Sequence, residues 1–448
     1  MKAMKRLRDL PENDFLTVFF SYVSLSFIVA AFCMPDRSDM LAGLMRIVSS
    51  PTKAAANFFV IGGVSGTFLN MGLVGAVCTA LYRIPGEKNN PASTLVVLLT
   101  IGFAAWGLNI LNIWPNIFGV ILYAAVKKKP LGDLTNAMLF SSGLAPVTSE
   151  LLLRYPDTQH IGFSAHGLVL ALVVGLAIGF FLPAGLENSP KVHKGMDLYS
   201  AALPVGMTAF FLQGLLYKGM GIEIPAAVGS DMTVENPLIV NTFCLILFGS
   251  WVVFALLMGC GAGDYWKLMI DPAHVTDFAA TYGNQVMLMN AGVYGLFILA
   301  YYNVIDAPFN AATFGTIFGM VATCNAGSHP LNVMPIIWGY AGASKGLQWL
   351  SSLVGGTFTQ YLNTQPIIVG LCYANGLTPI SDRYGWLYGV FAAFVHYCMV
   401  TTVPQLHGGL CLYNGGFTAA LVCLLLVPSL ERIFRTKFER YPHLDKSK

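Results

Sequence analysis

The residues of this chain that could do chemistry are few, and they come in pairs. Asn112 and Pro115 of "NIWPNIFG" (112–119) reappear as Asn332 and Pro335 of "NVMPIIWG" (332–339), 220 positions on. Asn70 in "LNMGLVG" and Asn290 in "MNAGVYG" keep the same spacing. Thr148, followed by Ser149 and Glu150 in "GLAPVTSE", is answered 233 positions on by Ser381, followed by Asp382 and Arg383 in "GLTPISDR". His329 stands three residues ahead of Asn332. Neutral amides and hydroxyls beside Pro breaks suit the binding of a small polar solute or an ion. Helix ends exposed at such breaks add free N–H and carbonyl groups. The expected solute-binding residues are therefore Asn112, Pro115, Asn332, Pro335, Asn70, Asn290, Thr148, Ser381 and His329. Glu150, Asp382 and Asp306 are the carboxylates expected to couple transport to a proton or sodium.

The surroundings of these residues are those of a membrane. Of 448 residues, 55% are hydrophobic and 10% charged, against about a quarter charged in soluble proteins. Apolar runs of about 20 residues, enough to cross a bilayer, recur from Phe15 to beyond Cys423. Lys2, Lys5, Arg6 and Arg8 precede the first run, which has no small-x-small cleavage site behind it and reads as a retained span. The C-terminal stretch is also rich in Lys and Arg, so both termini are expected in the cytoplasm of a multi-pass inner (plasma) membrane protein. The nine cysteines form no CxxC or His-Cys cluster, so no metal, disulfide or cofactor is expected. A net charge of +3 confined to the ends offers nucleic acid no basic face. The expected partners are the lipid bilayer and a small polar solute or ion, with a homo-oligomer left open.

The paired motifs describe a duplication. The units are expected at 1–230 and 231–448, the second ending in a basic cytoplasmic tail. "HKGMDLYSAA" (193–202) and "HGGLCLYNGG" (407–416) form a further pair, 214 positions apart. Spans are expected near 15–34, 56–81, 92–110, 113–127, 137–153, 162–185 and 197–217. In the second copy they fall near 237–260, 284–302, 310–326, 333–349, 364–381, 386–404 and 408–428. The fold class is an all-α polytopic membrane protein with two repeats, expected to be inverted. Each repeat has about five full spans plus two Pro/Gly-broken or re-entrant segments, NxxPxxxG and GL(A/T)P. Paired interrupted segments point to a transport site at the repeat interface near the midplane, because irregular backbone survives in hydrocarbon only where protein or water surrounds it.

Plainer roles compete. The four asparagines could lock helices together, at about 0.6 kcal/mol per contact. His166 and His396, mid-span and unpaired between copies, read as packing partners, and His193 and His407 as loop residues. The 46 glycines mostly let helices approach. No HExxH occurs, and an enzyme is not expected; a membrane enzyme or a sensor or scaffold is the alternative of another class. A channel and a proton- or sodium-coupled carrier of an organic solute both fit.

The pattern "LNMGLVG … NIWPNIFG … GLAPVTSE", over nearly the whole chain, resembles an uncharacterised family of duplicated bacterial and archaeal polytopic membrane proteins, a domain of unknown function, which implies no activity. In "GTFLNMGLVGAV" (66–77) and in its duplication the chain also resembles urea transporters, though their Leu-Pro-x-x-Thr-x-Pro-Phe motif is missing. That likeness implies only architecture: inverted repeats with short re-entrant helices beside a pore.

Overall fold

The computed structural model describes residues 2–54, 56–84, 90–157, 160–271 and 276–441. The tail beyond 441 lies outside them. No strand occurs among the described residues. The first copy contributes α1 (Glu12–Cys33), α2 (Phe58–Leu81), α3 (Pro91–Phe103), α4 (Trp114–Lys127), α5 (Thr135–Ser141), α6 (Ala145–Leu153), α7 (Ala165–His193) and α8 (Ala202–Gln213). The second contributes α9 (Pro237–Leu257), α10 (Asn284–Val304), α11 (Ala311–Val321), α12 (Pro330–Leu353), α13 (Gln365–Ala374), α14 (Thr378–Tyr384), α15 (Trp386–Val400) and α16 (Asn414–Ile433) in the same order. The packing repeats as well: α1 lies along α2 as α9 lies along α10, and α4 along α7 as α12 along α15. The copies meet chiefly through α3 with α11 and α8 with α16.

Among the described residues, six helices are long and apolar enough to cross a membrane: α1, α2, α7, α9, α10 and the run beginning at Asn414. Their outer faces leave Leu25, Val29, Val173, Phe181, Ile246 and Val253 exposed, which in water would be a liability and in lipid is the normal surface. Starts are written locally. Asn90 and Asn310 cap α3 and α11 by accepting from Ser93 N and Thr313 N at 3.2 and 2.9 Å, and Pro stands in the first turn of α3, α4, α9 and α12.

Hydrogen bonds between distant residues fix where the ends lie. Asn284, opening α10, donates to Arg8 O and Leu10 O just before α1 (3.1 and 2.9 Å). Asn136, opening α5, bonds to Tyr82 after α2 and to Asn90 before α3. Both ends of the α3–α4 pair thus lie at the Leu81 end of α2. In the second copy Gln365 at the start of α13 accepts from Asn310 (2.6 Å), so α13 starts beside the start of α11. Ala311 N donates to Asn57 Oδ1 (3.2 Å), and Asn57 caps the opposite end of α2. α3 and α11 therefore start at opposite ends of α2. Lys194, after α7, pairs with Glu431 near the end of α16.

Glycines set the crossings. A Cβ on Gly102 of α3 would stand 2.4 Å from Gly315 O, and one on Gly315 of α11 would stand 2.3 Å from Gly102 O, so the two short helices touch backbone to backbone. Gly63 (φ 71°) breaks α2 near its start. Arg46 Nε donates to Ile61 O at 2.9 Å and Asp36 accepts from Ser65 N at 3.1 Å, satisfying both sides of that break.

Several expected spans differ in detail. The run 92–110 is helical only to Phe103, and 137–153 and 364–381 are each two helices joined by a 3-10 turn at Ser142–Leu144 and Asn375–Leu377. Residues 197–201 and 408–413 are irregular rather than helical. Tyr199 and Tyr413 there are buried among the opposite copy's helices, whose carbonyls replace the helical ladder.

Candidate functional site

Asn70 and Asn290 do the same job in the two copies. Asn70 donates to Ala104 O and Leu108 O (2.7 and 2.8 Å) and accepts from Ile110 N (3.2 Å). Asn290 donates to Cys324 O and Ser328 O (2.8 and 2.9 Å). Each amide satisfies carbonyls released where α3 or α11 stops inside the bundle. Both side chains are fully buried. The following glycines seat the neighbouring helix: a Cβ on Gly72 would meet Ile28 N at 2.9 Å, and one on Gly292 would meet Phe248 O at 2.8 Å.

The NxxPxxxG motif resolves into three tasks. Asn112 accepts from Asn109 N (2.9 Å) and donates to Gly107 O (3.0 Å) and Ser149 Oγ (2.9 Å). Asn332 accepts from His329 N (3.0 Å) and donates to Gly327 O (2.8 Å) and Asp382 Oδ2 (3.1 Å). The asparagine thus closes the turn before the helix and ties it to the GL(A/T)P segment. Pro115 and Pro335 face Gly175 of α7 and Gly389 of α15. Gly119 and Gly339 bring backbones together, since a Cβ would stand 2.3 Å from Leu176 O or 2.4 Å from Val390 O. The break lies ahead of these prolines rather than at them.

The GL(A/T)P and HxGxxLY motifs meet across the interface, each with the other copy's partner. Leu198 N donates to Gly376 O (3.0 Å) and Leu412 N to Gly143 O (3.1 Å). The ring of Tyr199 covers Gly376 and that of Tyr413 covers Gly143. Tyr199 Oη also donates to Gly319 O (2.7 Å), and Asn375 Nδ2 to Thr323 Oγ1 (2.8 Å). His193 closes α7 rather than lying in a loop, while His407 stands in a turn; both are buried and bond seven positions on, His193 through Nε2 to Ser200 and His407 through Nδ1 to Asn414.

The remaining expected residues do not gather. Thr148 Oγ1 approaches Asn116 Oδ1 at 3.4 Å, and Ser381 is buried against Gly389. Glu150 is 1% exposed and doubly bonded to Arg154 (2.6 and 3.0 Å), whose Nη1 donates to Ala226 O. Lys53, in the segment before α2, donates to Pro225 O at 2.7 Å; burial pushes its ammonium down to about 8, opposed by Glu150 and reinforced by Arg154. Asp306 is exposed after α10. His396 donates from Nε2 to Gly415 O (2.9 Å), which makes Nδ1 the acceptor for Tyr340 Oη (2.7 Å). His166 is exposed at the start of α7 rather than mid-span.

A cavity of about 490 Å³ lies where α3, α5 and α7 meet the irregular 195–201 segment, with Thr276 and Ala326 of the second copy at its edge. That is within the size range of small-molecule sites. Among the described residues its polar lining includes Asp133, Asn136, Glu187, Asp197 and Ser200, and no Lys or Arg. Asp197, which the reading of motifs passed over, is 3% exposed. Its Oδ1 accepts from Tyr199 N at 2.9 Å, and its Oδ2 is buried with no hydrogen-bond partner. The sequence did carry a signal: Asp197 is the one carboxylate in the aligned "HKGMDLY" and "HGGLCLY", and Cys411 takes its place in the second copy.

Long apolar helices, a doubled set of interrupted ones and the repeated packing of the two copies define a multi-pass helical membrane protein built from a duplicated unit. The chain belongs to the DUF1576 family, described as a protein of unknown function, whose model matches at 36–218 and again at 262–432. Comparison with curated proteins and with solved structures finds no match, so the likeness to urea transporters gains no support there.

Proposed function

We propose that the protein moves a small polar solute or ion across the membrane, as a channel or secondary transporter, through a site between two inverted repeats near the bilayer midplane. The observation that carries this reading is the pair of interrupted helices, α3–α4 and α11–α12, in which α3 and α11 start at opposite ends of α2 and meet at Gly102 and Gly315. On this reading both pairs are re-entrant. Packed breaks of this kind cost stability unless every freed carbonyl is met, and such irregular backbone is characteristic of transport paths. The paired asparagines shape the site by holding the breaks, and the solute meets the cavity beside them.

The pairing of Lys194 with Glu431, and of Asn284 with the backbone before α1, supports placing both termini on one side, which the basic ends assign to the cytoplasm of the inner membrane. The protein's partners are then the bilayer and the solute, and a homo-oligomer is compatible. The test is uptake of labelled small neutral solutes and inorganic ions into proteoliposomes. Flux above protein-free liposomes for one member supports the reading; none across the whole set contradicts it.

A further inference from the structure

We propose that Asp197 holds one monovalent cation at the floor of the cavity between α3, α5 and α7. A carboxylate buried in the low-dielectric interior of a bundle is strongly disfavoured unless a cation or donors accompany it. Asp197 has one such donor, the backbone N–H of Tyr199, on Oδ1. Its Oδ2 has none, and no described ion pair includes it. His193 does not serve as counter-charge, because its Nδ1 accepts from Asp197 N (3.3 Å) and its Nε2 bonds to Ser200 Oγ (2.8 Å), the arrangement of a neutral ring.

The cavity around Asp197 selects for positive charge. Asp133 and Glu187 share its lining, Glu187 already being paired with Lys129, and no Lys or Arg is among its described lining residues. Charge of one sign in a low-dielectric cleft concentrates the opposite ion. A single deep carboxylate matches a single positive charge, whereas divalent ions are usually held by more anionic oxygen. The duplication sharpens the point. The equivalent position in the second copy is Cys411, so the duplication does not repeat this site, and the 195–201 backbone that carries it is bonded directly to the break of the other copy through Leu198 N and Gly376 O.

This deepens the transport reading by naming the charge of what the site takes, but its test does not need flux. Purified full-length protein is titrated with Na+, K+ and NH4+ separately, in a choline buffer, by calorimetry and by thermal unfolding. The expected result is saturable binding of one of them at one ion per chain, with a melting temperature that rises with its concentration. Asp197→Asn weakens that binding by about thirty-fold or more, the lower end of losing one partner of a buried charge pair, while Glu187→Gln leaves the stoichiometry at one. Absence of binding and of thermal stabilisation by all three cations in the wild type overturns the proposal, as does unchanged affinity in a folded Asp197→Asn. If that variant does not fold, the wild-type titration alone decides, and Asp197→Glu, which keeps the charge, is the second variant. Binding without flux would leave the site standing and remove the transport reading; flux without binding would do the reverse.

Discussion

The ring of Tyr413 lies where a side chain on Gly143 would have to be: a Cβ there would stand 2.1 Å from the Tyr413 ring. Tyr199 stands in the same relation to Gly376, at 2.6 Å. Each copy's tyrosine closes over the helix break of the other, so neither repeat completes its own interior. Gly143→Ala is expected to destabilise by about 1–3 kcal/mol through overpacking. Gly342→Ala and Gly249→Ala, in helices with nothing within 4 Å, should stabilise by up to about 1 kcal/mol. Thermal unfolding in detergent reads the difference in sign.

Asn70 and Asn290 predict a second pattern. Replacing either by Ala strands two buried carbonyls, at about 1–3 kcal/mol for each group left unpaired. Asp in the same place is expected to be worse than Ala, because a carboxylate cannot donate to Ala104 O and Leu108 O and brings a charge into the bundle. Equal losses for the two asparagines, measured by chemical denaturation, would agree with their equivalent geometry; a neutral Asn290→Ala would not.

The Glu150–Arg154 pair predicts a stability defect rather than a specific loss of coupling. Glu150→Gln leaves the buried guanidinium short of its counter-charge and should cost about 3–5 kcal/mol. Unfolding midpoints settle this, and a well-folded Glu150→Gln with unchanged stability would speak against a structural pair.

Lys53 makes stability pH-dependent. The folded ammonium loses its proton from about 8, whereas the ordinary value is 10.5, so between these values the unfolded chain binds the extra proton. Stability from this group therefore rises with pH across that window and is flat on either side. The difference in unfolding free energy between wild type and Lys53→Met should widen in favour of wild type from pH 8 to 10.5. A pH-independent difference would contradict the assignment.

Much of this architecture was legible in the motifs because the duplication marks them twice. Asn70 with Asn290 and Gly119 with Gly339 could be aligned without a structure, and they turned out to occupy equivalent positions. Their roles were less legible. An asparagine beside a proline in an apolar run looks the same whether its amide faces a solute or the carbonyl five residues earlier, as Asn112 faces Gly107. The crossed contacts of Tyr199 with Gly376 and Tyr413 with Gly143 were hidden because sequence repeats align like with like, whereas the fold joins unlike motifs from different copies. Asp197 was missed for a related reason: attention to what repeats passes over the residue that does not.

The measurement that bears most directly on the account is flux through a protein whose cavity has been filled. Ala92 lines the cavity at the start of α3 and is partly exposed, so Ala92→Trp can occupy the space without entering the packed interior. With the solute or ion that wild-type proteoliposomes take up, a folded Ala92→Trp protein is expected to fall to the rate of protein-free liposomes. Wild-type flux in that variant would place the path elsewhere and contradict this reading.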